Sequence, residues 1–395
     1  MPHLAHFALP AAFLTVGTAF VLTGCSHPAA KPPVVAPSSS TAVVTTPAAA
    51  PPHFDKPDHV RGIYLTAWSA ASKRKRAWVY RLMKSTNLNS VVIDVRDSGE
   101  MYWKTGIPLA KKAKANDIAI VNARKLMAEL AANRVYPIAR IACFRDNKVP
   151  KVFPGRAVQL ASGNVWKDRS GNTWLDPYDK DNWNYILATV DYALRIGFPE
   201  IQLDYVRFPS EGKSQSQRFP AQAKYDDPKA KPEDVIAAFT EYVSKRVKAH
   251  GAVYSADIFG IISSSKSDQG IGQELEKVAK PFDVMSPMLY PSHFAAGEYG
   301  IKFPVAAPYD IIMKSLRDYK KRLPDKPIRP WLQDFSLRAP KQPLVHYGVA
   351  EIQAQIKAAH DNGYDDFLMW NAMNHYTDAA YATARPPSAP AAPGH

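Results

Sequence analysis

The sequence alternates eight times between a short run rich in β-branched and aromatic residues and a segment with the spacing of an amphipathic helix. A strand-then-helix order favours a parallel sheet covered by helices, because parallel neighbours need a long crossover connection. Eight such repeats are typical of a closed (β/α)8 TIM barrel, which is the predicted fold class. The predicted strands are 60–68, 90–97, 136–144, 200–209, 252–260, 283–291, 328–336 and 365–372.

Apolar residues that recur every three or four positions predict the helices between these strands. In the segment 235–250, for example, Val235, Phe239, Val243 and Val247 share one helical face. An open doubly wound sheet is the alternative, but no Gly-x-Gly-x-x-Gly turn follows the first strand, where a dinucleotide site needs it. The predicted helices are 76–85, 123–134, 181–196, 235–250, 271–280, 309–322 and 348–362, with a short one at 377–384.

The first 24 residues are predicted to be a signal peptide, because residues 7–22 are almost all apolar or small. This run ends in Leu22-Thr23-Gly24-Cys25, which resembles the lipobox of bacterial lipoproteins. The resemblance implies export, cleavage before Cys25, lipidation of its thiol and, with Ser26 next, the outer membrane. A membrane anchor of this kind consists of acyl chains rather than of a helix. A plain secretory peptide is the alternative, and the segment before the apolar run contains no Lys or Arg.

Residues 25–59 are rich in Pro, Ala, Ser and Thr and predict an extended linker, and residues 386–395 predict a disordered tail. The folded unit is therefore predicted to be 60–385. The formal net charge of +14 favours anionic surroundings. The basic run Lys73-Arg74-Lys75-Arg76 opens a predicted helix without interleaved aromatic residues, so we interpret it as a solvated face and expect no nucleic acid partner.

Catalytic groups of a (β/α)8 barrel cluster at the carboxyl ends of the strands. Side chains there alternate between the interior and the exterior, so residues two positions apart share a side. By this rule Gln202 accompanies Asp204, Ser255 accompanies Asp257, and Asp94 accompanies Arg96. Polar or amphipathic residues end most of the other strands as well, and burying them in separate places would be costly, so we expect one shared, wet pocket. These residues are Asp94, Arg96, Arg140, Tyr290, Gln333 and Trp370.

The stretch Leu203-Asp204-Tyr205-Val206-Arg207-Phe208-Pro209 is similar to a motif in bacterial families of glycoside hydrolases. Together with the stretches at 60–64, 92–97, 256–260 and 285–291, it resembles a family of unknown function described as glycosyl hydrolases and distantly similar to the α-amylase barrels. The resemblance covers about residues 60–376. It implies that the fourth-strand carboxylate, Asp204, acts on the anomeric carbon.

Glycoside hydrolysis needs two carboxyl groups, one protonated and one ionised. Neighbouring strands lie about 4.8 Å apart, so Asp204 and Asp257 are expected near the separation of a retaining enzyme. We predict Asp204 as nucleophile and Asp257 as acid/base, with the pKa of one carboxyl raised by repulsion. Amylase-type barrels have Glu on the fifth strand, so Glu211 is a second candidate for the acid. Alternatively, Asp204 forms an ion pair with Arg140 or Arg96, and Asp257 caps a turn.

Aromatic rings at strand ends, together with Trp166 and Trp174 in the loop after the third predicted strand, suit sugar binding, because they can stack on the apolar faces of pyranoses. We therefore predict a polysaccharide substrate of the envelope or the extracellular space. Asp94 could instead support a loop-positioning Asp–Arg network, and Arg207 could serve as a salt-bridge partner. The predicted substrate-binding residues are Asp94, Arg96, Arg140, Asp176, Tyr205, Arg207, Tyr290, Trp331, Gln333 and Trp370.

Other reaction classes lack their motifs in this sequence. It has no Gly-x-Ser-x-Gly elbow, no phosphate-binding loop and no His-Glu-x-x-His pair, and its two cysteines, Cys25 and Cys143, exclude a cysteine-rich zinc site. Hydrolysis by two carboxyl groups needs no metal or organic cofactor, so none is expected. The alternatives are a non-catalytic carbohydrate-binding lipoprotein with the same barrel, and a transglycosidase. The sequence names no protein partner.

Overall fold

Eight parallel strands form a closed ring, since the first strand hydrogen-bonds to both the second and the last. The structure is a computed structural model and describes residues 50–210, 212, 214–265 and 267–382. The strands are β1 Arg61–Leu65, β2 Ser90–Asp97, β3 Glu100–Trp103, β4 Asn116–Ile120, β5 Tyr136–Ala142, β6 Glu200–Asp204, β7 Val253–Phe259, β8 Val284–Met288, β9 Trp331–Gln333 and β10 Phe367–Trp370.

The order around the ring is β1-β2-β5-β6-β7-β8-β9-β10, so the predicted (β/α)8 barrel is confirmed. Each predicted strand covers one strand of the ring. The short strands β3 and β4 were not predicted, and they extend the sheet outside the ring, with β3 antiparallel to β2. The first predicted strand is too long, because Thr66 caps a helix by accepting a hydrogen bond from the Ser69 amide over 3.1 Å.

The helices follow the predicted periodicity. On the helix Pro232–Ala249 the side chains of Val235, Phe239, Val243 and Val247 are all buried, and Gly251 beyond its end has the left-handed φ of 69° expected of a helix cap. The predicted helix 271–280 is reduced to one short turn, and 377–384 to a 3-10 turn at Asp378–Tyr381. The helices are α1 Ala67–Ala71, α2 Lys73–Ser85, α3 Pro108–Lys112, α4 Ala123–Ala132, α5 Val149–Val152, α6 Lys180–Arg195, α7 Pro232–Ala249, α8 Leu275–Val278, α9 Pro308–Arg322 and α10 Val349–Asp361.

Among the residues described, no helix has both the length and the apolar character that crossing a membrane requires.

Two separate apolar regions hold the barrel together. The larger lies between the strands and the surrounding helices, and the smaller fills the barrel interior with side chains such as Tyr64, Ile138 and Leu368. The interior is also charged. Near the amino end of the strands Glu200 and Arg329 form an ion pair with both side chains fully buried. A second group of charges lies at the carboxyl ends, where (β/α)8 barrels carry their active sites.

Candidate active site

Asp204 and Asp257 occupy corresponding positions on neighbouring strands. In the parallel register of β6 and β7, Leu203 lies opposite Ala256, and the two aspartates follow these residues directly. Both aspartates are buried: Asp204 is 6% exposed and Asp257 is 2% exposed. Burial first, and then the charge of Asp204, raises the pKa of Asp257 well above its usual value. The two carboxyl groups therefore interact, and Asp257 favours the protonated form.

Asp204 receives hydrogen bonds on both of its carboxylate oxygens. Arg140 donates from Nε over 3.0 Å and from Nη2 over 2.6 Å, both to Oδ2. The backbone amide of Tyr205 donates to Oδ1 over 2.6 Å. Tyr205 itself has a left-handed φ of 48°, which is uncommon for a residue other than glycine. The carboxylate of Asp204 is thus held in one orientation at the rim of the barrel.

Arg140 joins this carboxylate to a second one. Its Nη1 donates to Oδ1 of Asp94 over 2.5 Å, and the hydroxyl of Tyr64 donates to the other oxygen of Asp94 over 2.5 Å. Asp97 lies 3.6 Å from Nη2. Burial raises the pKa of Asp94 to about 6 despite the nearby positive charge of Arg140. One guanidinium therefore lies among three carboxyl groups, and the predicted pairing of Asp204 with Arg140 is present.

A wall of aromatic rings runs from Asp257 to Arg140. The indole Nε1 of Trp331 donates to Oδ1 of Asp257 over 2.6 Å. The ring of Trp370 meets Trp331 edge-on at 5.5 Å and stacks on Tyr64 at 4.0 Å. The guanidinium of Arg140 lies 5.3 Å from the centre of the Trp370 ring. Because Trp370 is partly exposed, its ring can contact a ligand that reaches the carboxyl groups.

Residues after β8 complete this part of the rim. Burial first, and then Asp257, raises the pKa of Tyr290 well above its usual value, so its hydroxyl stays protonated. The ring of His293 lies 5.2 Å from that of Tyr290, and burial lowers the pKa of this histidine to about 4. A protonated tyrosine therefore lies near Asp257, a neutral histidine packs against that tyrosine, and neither adds a charge.

The side-chain amide of Gln333 is hydrogen-bonded to two loops at the rim. Its Nε2 donates to the carbonyl of Phe335 over 2.7 Å, and its Oε1 accepts from the amide and the hydroxyl of Ser292 at 3.1 and 2.9 Å. Its side-chain amide is therefore engaged by the loops that follow β8 and β9, and the residue is fully buried. The position of Gln333 at the rim was predicted from its place at the end of a strand, but its hydrogen bonds to the loops could not be predicted.

Arg96 does not join Asp94, and the expectation that the two share a side of the strand is wrong. The register between β2 and β5 shifts there, since Asp94 lies opposite Arg140 but Arg96 lies opposite Ile141. This β-bulge turns Arg96 away from the barrel interior. Its guanidinium pairs with Asp146 over 2.5 Å and lies over the ring of Tyr185 on α6.

Asp176 and Arg207 also take part in packing. The carboxylate of Asp176 accepts from the amides of Tyr178 over 3.0 Å and Ala221 over 2.9 Å, and it links the loop after β5 to the loop after β6. The guanidinium of Arg207 lies 4.7 Å from the ring of Trp174 and 4.5 Å from that of Phe259. Both residues are buried away from solvent.

Residues 62–376 match a protein family described as "Putative glycosyl hydrolase domain". The chain belongs to this family. It is a glycosyl hydrolase domain on a (β/α)8 barrel, as the motif around Asp204 predicted. Among the curated proteins, none matches it.

Two solved structures are similar to this glycosyl hydrolase domain. The glycoside hydrolase domain of PgaB (BpsB) from Bordetella bronchiseptica is 13% identical, with a TM-score of 0.61, and the match covers 84% of this chain and all (100%) of that one. That similarity shows the fold. A hypothetical protein from Ruminiclostridium thermocellum is 31% identical over 49% of this chain and 96% of its own, with a TM-score of 0.45.

Sequence reasoning missed two members of the site of this glycosyl hydrolase domain. Tyr64 bonds to Asp94, and Arg145 lies 3.2 Å from Asp97 and donates to the hydroxyl of Tyr205. Tyr64 is the last but one residue of β1 and carried the same positional signal as the strand-end residues that were predicted. Arg145 lies in a loop and carried none. Glu211 and Cys25 lie outside the described residues.

Proposed function

We propose that this domain hydrolyses a glycosidic bond of an envelope or extracellular polysaccharide with retention of configuration, using Asp204 as nucleophile and Asp257 as acid/base. One observation carries the proposal: two adjacent carboxyl groups have opposite surroundings. The positively charged guanidinium of Arg140 contacts the carboxylate of Asp204, whereas burial and the negative charge of Asp204 raise the pKa of Asp257. Two carboxyl groups with such different surroundings suit the two roles of glycoside hydrolysis.

In the first step, the Asp204 carboxylate attacks the anomeric carbon while protonated Asp257 gives its proton to the departing glycosidic oxygen. The bond from carbon to that oxygen breaks, and a glycosyl ester of Asp204 forms. In the second step, the Asp257 carboxylate takes a proton from water as the water oxygen attacks the same carbon. The ester bond breaks, Asp204 is released as a carboxylate, and Asp257 is protonated again.

The first experiment screens the purified protein against envelope and exopolysaccharide preparations and measures new reducing ends. Asp204→Asn and Asp257→Asn should each abolish release, while the matched control Asp325→Asn, an exposed turn residue, should not change it. On an active substrate, proton NMR should show that the first product has the same anomeric configuration as the substrate. Full turnover by Asp204→Asn, or an inverted product, would contradict the mechanism.

A non-catalytic carbohydrate-binding barrel is the second candidate. The observation that favours it is the engagement of Asp204 Oδ2 by two donors of Arg140, as in a purely structural ion pair. The same screen separates the two functions. Binding of a polysaccharide without release of reducing ends, unchanged in Asp204→Asn, would select the binding function.

We also propose that the protein is exported and anchored by acyl chains at Cys25. The lipobox-like stretch Leu22-Thr23-Gly24-Cys25 supports this location. Mass spectrometry of the protein from bacterial membranes should find a lipidated amino-terminal cysteine, and Cys25→Ser should release the protein from the membrane fraction. An unlipidated chain cleaved elsewhere would contradict the proposal.

A further inference from the structure

A basic groove begins at the carboxyl end of β1, on the rim of the barrel that also carries Asp204 and Asp257, and continues along α2. Helix α1 begins two residues after β1, and α1 and α2 together form an open groove of about 500 Å³. Trp68, Trp78, Arg74, Lys75 and Arg81 line it. None of these residues belongs to the carboxyl cluster described above.

The groove carries more positive charge than its surroundings offset. Arg74 and Arg81 are exposed, and within the described part of the chain neither has an acidic partner. Burial first, and then Arg74, lowers the pKa of Lys75, while Asp378 acts in the opposite direction. The first turn of α2 contains no acidic residue, so the positive end of the helix dipole adds to these charges. An anionic group bound here would relieve this repulsion.

The groove also offers aromatic surface. Trp68 is 54% exposed, although large apolar side chains are usually buried or covered. Trp78 forms a firmer base, because its indole donates to Asp378 over 2.8 Å and its ring stacks on Tyr376 at 6.1 Å. Lys75 lies 4.3 Å above the Trp78 ring. An exposed ring beside guanidinium groups suits a ligand that has both an apolar face and a negative charge.

The groove is linked to the carboxyl cluster through the loop after β10. Lys75 donates to the carbonyl of Asn374 over 2.6 Å. The hydroxyl of Tyr376 donates to the carbonyl of Tyr64 over 2.6 Å, and Tyr64 in turn bonds to Asp94. The loop after β10 therefore contacts both the groove, at Lys75, and the carboxyl cluster, at Tyr64.

We propose that this groove is a subsite for the acidic sugars of the polysaccharide, so that the substrate class is a polymer with carboxylate groups. The inference rests on the proposed function, because it places the groove on the path of a polymer bound at Asp204. Arg74 and Arg81 would bind the sugar carboxylates, and Trp68 would stack on a pyranose face. This role would give Arg74 of the basic run 73–76 a function, whereas Arg76 of the same run pairs with Glu129.

Affinity electrophoresis of the full chain tests the proposal, with polygalacturonate, neutral dextran and single-stranded DNA as the three probes. The chain carries Asp204→Asn so that hydrolysis cannot alter the probe. We expect Arg74→Gln with Arg81→Gln to weaken polygalacturonate binding about tenfold, because two exposed charge contacts are lost. Trp68→Ala should weaken it as well. The matched control, Arg124→Gln with Arg317→Gln, removes two exposed charges outside the groove and should not.

Three results would overturn the subsite: equal binding by all variants, dextran binding as tight as that of polygalacturonate, or DNA binding as tight with no effect of Trp68→Ala. The last result would identify a general polyanion site instead. Hydrolysis in the wild-type background separates this failure from failure of the proposed function. If Asp204→Asn abolishes reducing-end release while the groove variants change neither binding nor release, the mechanism is supported and the subsite is contradicted. If binding depends on the groove residues but Asp204→Asn retains full turnover, the subsite is supported and the mechanism is contradicted.

Discussion

The indole of Trp331, the first residue of β9, donates a 2.6 Å hydrogen bond to Oδ1 of Asp257 on β7. The bond leaves the other carboxyl oxygen for a proton and fixes the direction in which that proton points. It also lowers the pKa of Asp257, against the larger effect of burial, which raises it. Trp331 is therefore expected to set both the orientation and the acidity of the proposed acid.

Replacing Trp331 with Phe tests this relationship. Without the indole donor, the pKa of Asp257 should rise further, so the alkaline limb of the activity profile should move to higher pH. Activity at the optimum should fall about tenfold, the usual range for a lost orienting bond of about 1.5 kcal/mol. The measurement is hydrolysis from pH 4 to 9, with circular dichroism as the control for folding. An unshifted alkaline limb would show that Trp331 does not act on Asp257.

Arg140 should be needed for both stability and activity. Arg140→Met leaves Asp94 and Asp204 buried without their shared cation, so we expect a loss of about 3–5 kcal/mol in the free energy of unfolding. Arg140→Lys keeps the charge but not the planar fork of donors, so it should recover part of the stability and little of the activity. Urea unfolding and reducing-end release measure the two effects. Wild-type stability of Arg140→Met would contradict the proposed arrangement.

The strands of the barrel could be predicted because their apolar, β-branched runs report burial on both faces. The approach of Asp204 and Asp257 could be predicted for a related reason, since parallel neighbours bring equivalent positions to the same rim. The side of β2 on which the Arg96 side chain lies could not be predicted. It depends on a bulge against β5, and a bulge is a property of two paired strands rather than of one sequence.

Residues outside the strands were harder to place for the same reason. Trp166 and Trp174 were expected to offer stacking surface, yet they are 2% and 0% exposed because loops cover them. Strand position alone places Gln333 at the rim, but its bonds to Ser292 and Phe335 depend on how two loops meet. Alternation along a strand therefore predicts the barrel interior well, whereas the loop-built parts of the rim need the three-dimensional structure.

The buried pair of Glu200 and Arg329 should behave as a unit. Glu200→Leu leaves the guanidinium of Arg329 uncompensated inside the barrel and should cost about 3–5 kcal/mol of unfolding free energy. The double variant Glu200→Leu with Arg329→Met removes both charges and should recover most of that loss. Urea unfolding of both variants and of Arg329→Met completes the cycle. Additive losses in the double variant would show that the two charges do not interact.

Asp176 should make the protein less stable as the pH rises from about 4 to 7. Burial raises the pKa of this carboxyl to about 7 in the folded protein, whereas in the unfolded chain it is about 3.9. The folded state then binds more protons than the unfolded state across this interval, so the free energy of unfolding must decrease with increasing pH. At about 1.4 kcal/mol per unit of pKa, the decrease attributable to Asp176 is about 2–4 kcal/mol. Asp176→Asn cannot ionise, so its free energy of unfolding should decrease less than that of the wild type between pH 4 and 8, as measured by thermal or urea unfolding.

At low pH the variant should be less stable than the wild type, because the side-chain NH2 group of Asn faces one of the two backbone N–H donors that Asp176 accepts from. Parallel curves for the two proteins would mean that Asp176 does not titrate in this range.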